Sequence, residues 1–326
     1  MLSAQYRYMR KSMSLQLRAR TNTKATPKVS RWNKEQYLSW AFALPALILL
    51  LIFLIITFAL AIYFSLTNQR LAPGPLPTSF VGLLNYTRLL ADDTLRRALL
   101  NNSFFGLVVV PVETGLALFL ALLLNQKIRG ISVFRTIYFS PVVTPLAVIA
   151  VVWSFLYNPS QGLINAFLKA ISFGYLGPYT WLDDAHLALP AIMFLSIWQG
   201  VGLYMIIYLA GLQNIPESLF EAARVDGAGR WQQLWYITLP QLRNTTFFVM
   251  IATTVQAFKL YTQVEVMTQG GPNNATTTVV WYMVNQSIRH LRVGYASAVA
   301  VVFFLIVLIR VIPILRYVVK AEKREV

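Results

Sequence analysis

Six apolar stretches, at roughly 38–66, 98–125, 131–157, 187–212, 244–266 and 294–317, account for most of this 326-residue chain, and each is long enough to cross a bilayer. The hydrocarbon core takes about 20 apolar residues per helix, and in lipid only helices and closed barrels leave no backbone polar group unpaired. The chain therefore reads as an all-α integral membrane protein with six transmembrane helices. Composition agrees: 57% hydrophobic residues against 12% charged lies outside the balance of soluble globular domains.

The net charge of +16 would suit nucleic acid if the basic residues formed one face, but they cluster at the ends of the apolar stretches. Charge here reports topology. The tail from Arg7 to Lys34, the tail from Arg316 to Arg324, and Lys127, Arg129, Arg135, Arg224, Arg230 and Arg243 fall on one side of the spans. Arg70, Arg88, Arg96, Arg97, Lys169, Arg289 and Arg292 fall on the other. The excess places both termini and the segment between the fourth and fifth spans in the cytoplasm. Residues 1–36 read as a disordered basic tail suited to anionic lipid, with Met13 a second candidate start. Residues 37–319 form the transmembrane domain, including a loop at 213–240, and 320–326 a second tail. The first apolar run is too long for a cleaved signal and stays as an anchor.

Several chemistries are excluded. The absence of cysteine removes disulfides, a thiolate nucleophile and a cysteine zinc site, and the two histidines, His186 and His290, are isolated from each other. No GxxxxGK[ST] phosphate loop occurs, and GAGR at 227–230 lacks the lysine and hydroxyl that phosphate and magnesium require. The chain thus has no catalytic constellation, no metal site and no cofactor of its own.

The loop between the fourth and fifth spans carries EAARVDGAGRWQQLWYITLP at 221–240. Asn214 suits a helix cap, with Pro216 in the first turn and Glu217 three residues after the cap. Gly227 and Gly229 end that helix, and Trp231 to Tyr236 resume a pattern that stops before Pro240. An amphipathic helix lying on lipid through Trp231, Trp235 and Tyr236 is the alternative. Glu221, Ala222, Ala223, Gly227, Ile237, Leu239 and Pro240, with Asp226 beside the turn, stand at the spacings of a known motif. The segment resembles the EAA loop of ATP-binding-cassette (ABC) importer permeases, with Asn244 where many members carry a further proline. Residues 267–278, with Gly270, Gly271 and Pro272 in a tight turn, then a threonine run and GYASA at Gly294, closely resemble an outer loop of the carbohydrate branch.

The resemblance implies a type I ABC importer permease, the first of two paired permeases, in a bacterial or archaeal cytoplasmic membrane. Its EAA segment serves as a cytoplasmic coupling helix that docks in a cleft of an ATPase subunit. The implied partners are a second homologous permease, an ABC ATPase dimer that uses ATP and Mg, and an extracytoplasmic solute-binding protein that delivers a sugar-like substrate.

A sugar path needs amide or hydroxyl groups beside aromatics, with glycines for close approach. In the fourth span Ser196, Gln199, Gly200 and Leu203 share one helical face, with Tyr204 beside it. In the fifth, Thr253, Gln256, Ala257 and Leu260 do the same, flanked by Lys259. The resemblance assigns Ser196, Gly200, Leu203, Thr253 and Ala257 to the substrate pocket, while the same residue types also serve helix packing at about 1 kcal/mol each. Both roles stand open at this point.

Lys259 is costly inside a span and should face protein or water. Glu113, beside Pro111 and without a second acid, reads as a neutral carboxyl hydrogen-bonded to packing neighbours rather than as a proton relay. Pro45, Pro111, Pro141, Pro145 and Pro190 read as kinks. A glycerol-phosphate permease is the nearest rival and would want an arginine pair in the path. An ion-coupled secondary transporter would show an inverted repeat, and none is evident.

Overall fold

The computed structural model of this chain describes residues 34–72, 77–126 and 130–322. Most of the expected disordered tail, Pro73, Gly74 and Pro75 of the first long loop, the basic Lys127 and Arg129, and Lys323 and Arg324 lie outside the described residues. The chain divides into two compact units, one ending at Ala59 and the other beginning at Leu60. Among the described residues every named element is a helix, and one isolated antiparallel bridge joins Thr67 to Phe80.

Helix α1 (Lys34–Ser65) exposes its side chains from Leu38 to Leu60 and is apolar all round, the pattern of a helix that meets lipid or another chain. A short α2 (Leu84–Leu90) precedes α3 (Asp93–Leu124). The second span therefore begins earlier than hydropathy alone indicates. The cause is Asp92, whose carboxylate caps α3 by accepting from the Thr94 and Leu95 N–H groups at 2.9 and 3.0 Å. After α4 (Ile131–Val143), α5 (Leu146–Leu156) and α6 (Leu163–Ile171) comes α7 (Ala188–Gln213).

Helix α3 packs along α7 at the centre of the second unit. Ala117 and Ala121 are fully buried against a face that includes Tyr204, Met205 and Tyr208, so small residues on one helix receive large ones from the other. On the opposite side, α4 crosses α7 with backbones in contact: a Cβ added to Gly202 would lie 2.0 Å from the Tyr138 carbonyl oxygen.

Three described helices are long and apolar enough to span a membrane, with apolar portions Leu38–Ser65, Asp93–Leu124 and Ala188–Gln213; a fourth arises if α4 and α5 count as one bent span. That pair corrects the expectation of a continuous third span with plain proline kinks. Thr144, held extended before Pro145, breaks the helix, and the two halves meet at 99°.

The fifth predicted span is also interrupted. Helix α8 (Glu217–Val225), α9 (Arg230–Gln233), a π-turn at Leu234–Thr238 and α10 (Leu239–Gln241) lead into α11 (Arg243–Phe258), which stops at Lys259. The chain resumes as α12 (Thr262–Met267), then α13 (Val279–Val284), a second π-turn at Asn285–Arg289, and α14 (Val293–Glu322). Asn102, fully buried on α3, ties this region together. Its amide donates to the Ala257 carbonyl at the end of α11 and accepts from the Val279 N–H at the start of α13.

Asp92 does more than cap. Its second oxygen accepts from the Tyr282 and Tyr295 hydroxyls, which joins α3, α13 and α14. Burial pushes the carboxyl up, but these hydroxyls and the two N–H groups together outweigh it and hold Asp92 below its ordinary value of 3.8. Burial and the hydrogen bond to Asp92 push Tyr282 up to about 12, so it remains a donor. A carboxylate depressed in the folded state contributes stability above its unfolded pKa and loses it as pH falls through the folded value. The melting temperature should therefore drop below about pH 4, and Asp92→Asn, which keeps the cap, should flatten that acid limb in a pH series of thermal melts.

Candidate functional site

Both interrupted helices face one cavity. Its volume is about 260 Å³, and its walls come from Phe105, Val109 and Glu113 of α3, Val142 and Leu146 on either side of the first break, one face of α7, and Gln256, Ala257, Lys259, Leu260, Thr262 and Gln263 around the second break. Irregular backbone is tolerated at membrane depth where it lines a cavity, because unpaired peptide groups then meet water or solute instead of lipid.

Ser196, Gln199, Gly200, Leu203, Tyr204, Gln256, Ala257 and Lys259 all contribute to this lining. Gln199, Gln256 and Lys259 make no side-chain hydrogen bond among the described residues, so their polar ends remain available to the cavity. Ser196 donates to the Ile192 carbonyl at 2.8 Å and accepts from Gln263 Nε2 at 3.3 Å.

Thr253 is placed apart from the other candidate residues. It is buried, its hydroxyl donates to the Val249 carbonyl four residues back at 2.9 Å, and it does not line the cavity. Lys259 is not inside an unbroken span but caps the C-terminal end of α11 through its backbone N–H, at the negative end of the helix dipole.

The sequence reading missed part of the wall. Gln263 escaped because it lies beyond the break on a separate short helix, and Val142 and Leu146 because Thr144–Pro145 was read as a kink. Glu113 was read as hydrogen-bonded to packing neighbours; instead it makes no hydrogen bond among the described residues and faces the cavity beside Gly200.

The segment between α7 and α11 is the second feature. Helix α8 buries no residue, and Glu221, Ala222 and Asp226 are exposed with Ala223 half-buried. Its end is a hydrogen-bonded cap: the Gly227 N–H donates to the Arg224 carbonyl at 3.1 Å and the Ala228 N–H to the Ala223 carbonyl at 2.8 Å, with Gly227 at φ +80°. Gln232 Oε1 then accepts from the Gly229 N–H at 2.7 Å and begins α9.

Two local expectations are corrected here. Asn214 caps the end of α7, its N–H committed to the Gly211 carbonyl, and Pro216 occupies the position before α8 without a side-chain cap. Helical structure also continues through Pro240. The π-turn ending at Thr238, where the Leu239 N–H bonds back to the Leu234 carbonyl, provides the wider turn that a ring without an N–H requires. Ile237 and Leu239 are half-buried on this stretch, while Trp231, Trp235 and Tyr236 stay exposed.

The chain is similar to known proteins along most of its length. A probable ABC transporter permease protein of Pyrococcus horikoshii is 36% identical over 284 residues, covering 87% of this chain and 96% of its own length. The diacetylchitobiose uptake system permease protein of Streptomyces coelicolor is 32% identical, covering 82% of this chain and 78% of its own length. In fold the chain matches a chain of a bacterial ABC transporter involved in the import of the acidic polysaccharide alginate, with TM-score 0.73 at 22% identity, over 88% of this chain and 96% of that one. With residues 113–324 matching the binding-protein-dependent transport system inner membrane components, this helical membrane protein belongs to that family.

Proposed function

We propose that the chain is a permease subunit of an ATP-driven importer that translocates a sugar, oligosaccharide or glycoside handed over by an extracytoplasmic binding protein. The observation that carries this reading is the cavity, where amides and a hydroxyl from α7, α11 and α12 stand beside Tyr204 and Phe105 at two helix breaks. Hydroxyl-rich solutes with flat apolar faces suit that mixture. Among the described residues no arginine pair lines the cavity, the feature expected of a glycerol-phosphate path.

In this reading the chain crosses the membrane six times with both termini in the cytoplasm, as the lysine and arginine bias supports. It pairs with a second permease, and α8 with α9 forms the coupling segment that enters a cleft of the ATPase dimer. Glu221 meets a basic group of that subunit, Gly227 provides the turn, and ATP and Mg are held by the partner. The chain moves solute and hydrolyses nothing itself.

The test is uptake by proteoliposomes that contain the complete transporter, supplied with its binding protein and internal ATP. Replacing Gln199 and Gln256 together by Leu removes two amides at about 1 kcal/mol each and should lower uptake by about tenfold or more, with assembly intact by size exclusion. Parent-level uptake by the double variant would remove these residues from the path. Dissipating ion gradients while ATP is maintained should leave uptake unchanged; its collapse would point to an ion-coupled carrier.

A further inference from the structure

Glu113 is only 5% exposed, yet its carboxyl makes no hydrogen bond among the described residues and lines the cavity. A buried polar group without a protein partner is costly unless whatever fills the space supplies its hydrogen bonds. The neighbouring residue makes this placement specific: a Cβ on Gly200 would stand 1.9 Å from Glu113 Oε1, so the carboxyl occupies the room that a missing side chain leaves on α7.

The groups around it divide the cavity along its length. Gly106 on α3 lies level with Ala257 on α11, where an added Cβ would come 3.9 Å from the Ala257 Cβ. Glu113 is two turns further along α3, about 10 Å away at 1.5 Å per residue. Lys259 lies beyond Ala257 in the opposite direction, so the ammonium and the carboxyl mark the two ends. Besides Glu113, the polar groups at that end are the Tyr204 hydroxyl and the amide of Gln199, and no basic side chain lines it.

We propose that Glu113 is the solute-orienting residue of the cavity: its carboxyl accepts hydrogen bonds from hydroxyls of a passing neutral saccharide, held in reach by the gap at Gly200. The inference rests on reading the cavity as the solute path. It assigns the carboxyl a selective role, because an acceptor that turns toward hydroxyls turns away from phosphate and carboxylate. Phosphorylated solutes would find no arginine among the described residues lining this end to offset their charge.

The test exploits the absence of native cysteine. Leu203→Cys places a thiol on the cavity wall, and its rate of reaction with a small methanethiosulfonate is followed in membranes that carry the assembled transporter. Maltotriose, lactose and glycerol 3-phosphate are each added as protectants. At least one neutral saccharide should slow labelling, and glycerol 3-phosphate should not. Adding Glu113→Leu should weaken saccharide protection by about fivefold, the loss expected for one buried hydrogen bond, while unprotected labelling keeps its rate. Glu113→Gln should retain part of the protection. Gly200→Ala, which displaces the carboxyl without removing it, should behave like Glu113→Leu.

The outcomes separate cleanly. A thiol that no saccharide protects even with Glu113 present overturns the path reading itself. Protection unchanged by Glu113→Leu leaves the path standing and overturns the role of Glu113. Altered unprotected labelling in both Glu113→Leu and Glu113→Gln makes the carboxyl a packing group and also overturns the proposal, as does protection by glycerol 3-phosphate that exceeds that by the saccharides.

Discussion

A transporter that carries Gly227→Pro should insert, assemble its membrane helices and lose ATP-driven uptake by at least about tenfold. The glycine sits at φ +80°, a region closed to proline, whose ring fixes φ near −65°. Its N–H also donates to the Arg224 carbonyl, a bond that proline removes. Both defects fall on the cap that sets the direction of α9 relative to α8, and α8 buries no residue within the chain, so the transmembrane packing has little to lose. The cost of such a mismatch, about 1 kcal/mol or more of local stability, is concentrated on the shape of the α8–α9 segment. Gly227→Asn, which tolerates left-handed backbone, should retain most uptake. Glu221→Ala should resemble the proline variant in function while it leaves the cap intact. Protein level in the membrane, co-purified ATPase and solute uptake measured together check the prediction, and normal uptake by both Gly227→Pro and Glu221→Ala would exclude the lever role.

Gly202→Val should prevent stable folding. Its Cβ would lie 2.0 Å from the Tyr138 carbonyl oxygen and 2.8 Å from the carbonyl carbon, and these are backbone atoms that cannot rotate away as a side-chain tip can. Relief requires α4 to move off α7, opening a contact on which one cavity wall depends. Overpacking against backbone costs about 3 kcal/mol or more, enough to deplete the folded protein. Gly115→Ala is the matched control: it lies on α3 with nothing within 4 Å of its added Cβ and should be neutral or stabilising by up to about 1 kcal/mol. Thermal melts of the purified transporter and the yield of folded protein decide it. Equal melting temperatures for the two variants would mean that α4 and α7 do not touch at Gly202.

The long helices were legible because each condition for them is local. Length and all-round apolarity mark α1, and α3 and α7 follow from runs that exceed a bilayer thickness. The breaks were not legible. A proline in an apolar run announces a disturbance of one turn, but whether it gives a shallow kink or the 99° bend at Thr144–Pro145 depends on what lies beside it. Lys259 posed the same problem. It was noticed as a charge that needed water or protein, yet the end of α11 beneath it and the restart at Thr262 come from packing that involves Asn102, far away in sequence.

Within the candidate site, residues at helical spacing on α7 were identified together because one helix carries them. Glu113 was misread for the complementary reason. Its own neighbours in sequence suggest an acid buried among packing groups, whereas the gap that takes its carboxyl is left by Gly200 across the helix interface and the cavity it lines is built from several helices. Asn214 failed as a cap because the preceding helix claims its backbone first, a competition between adjacent elements that residue preferences alone do not resolve.

The two interrupted helices have an evolutionary consequence. The bundle is held by α3 along α7 and by the Asn102 and Asp92 junctions, whereas part of the cavity wall consists of helix ends at Val142, Leu146 and Lys259. Substitutions at those ends would reshape the cavity while the interhelical seams stay untouched. A chain built this way can vary its inner chamber by point changes without first having to rebuild its scaffold.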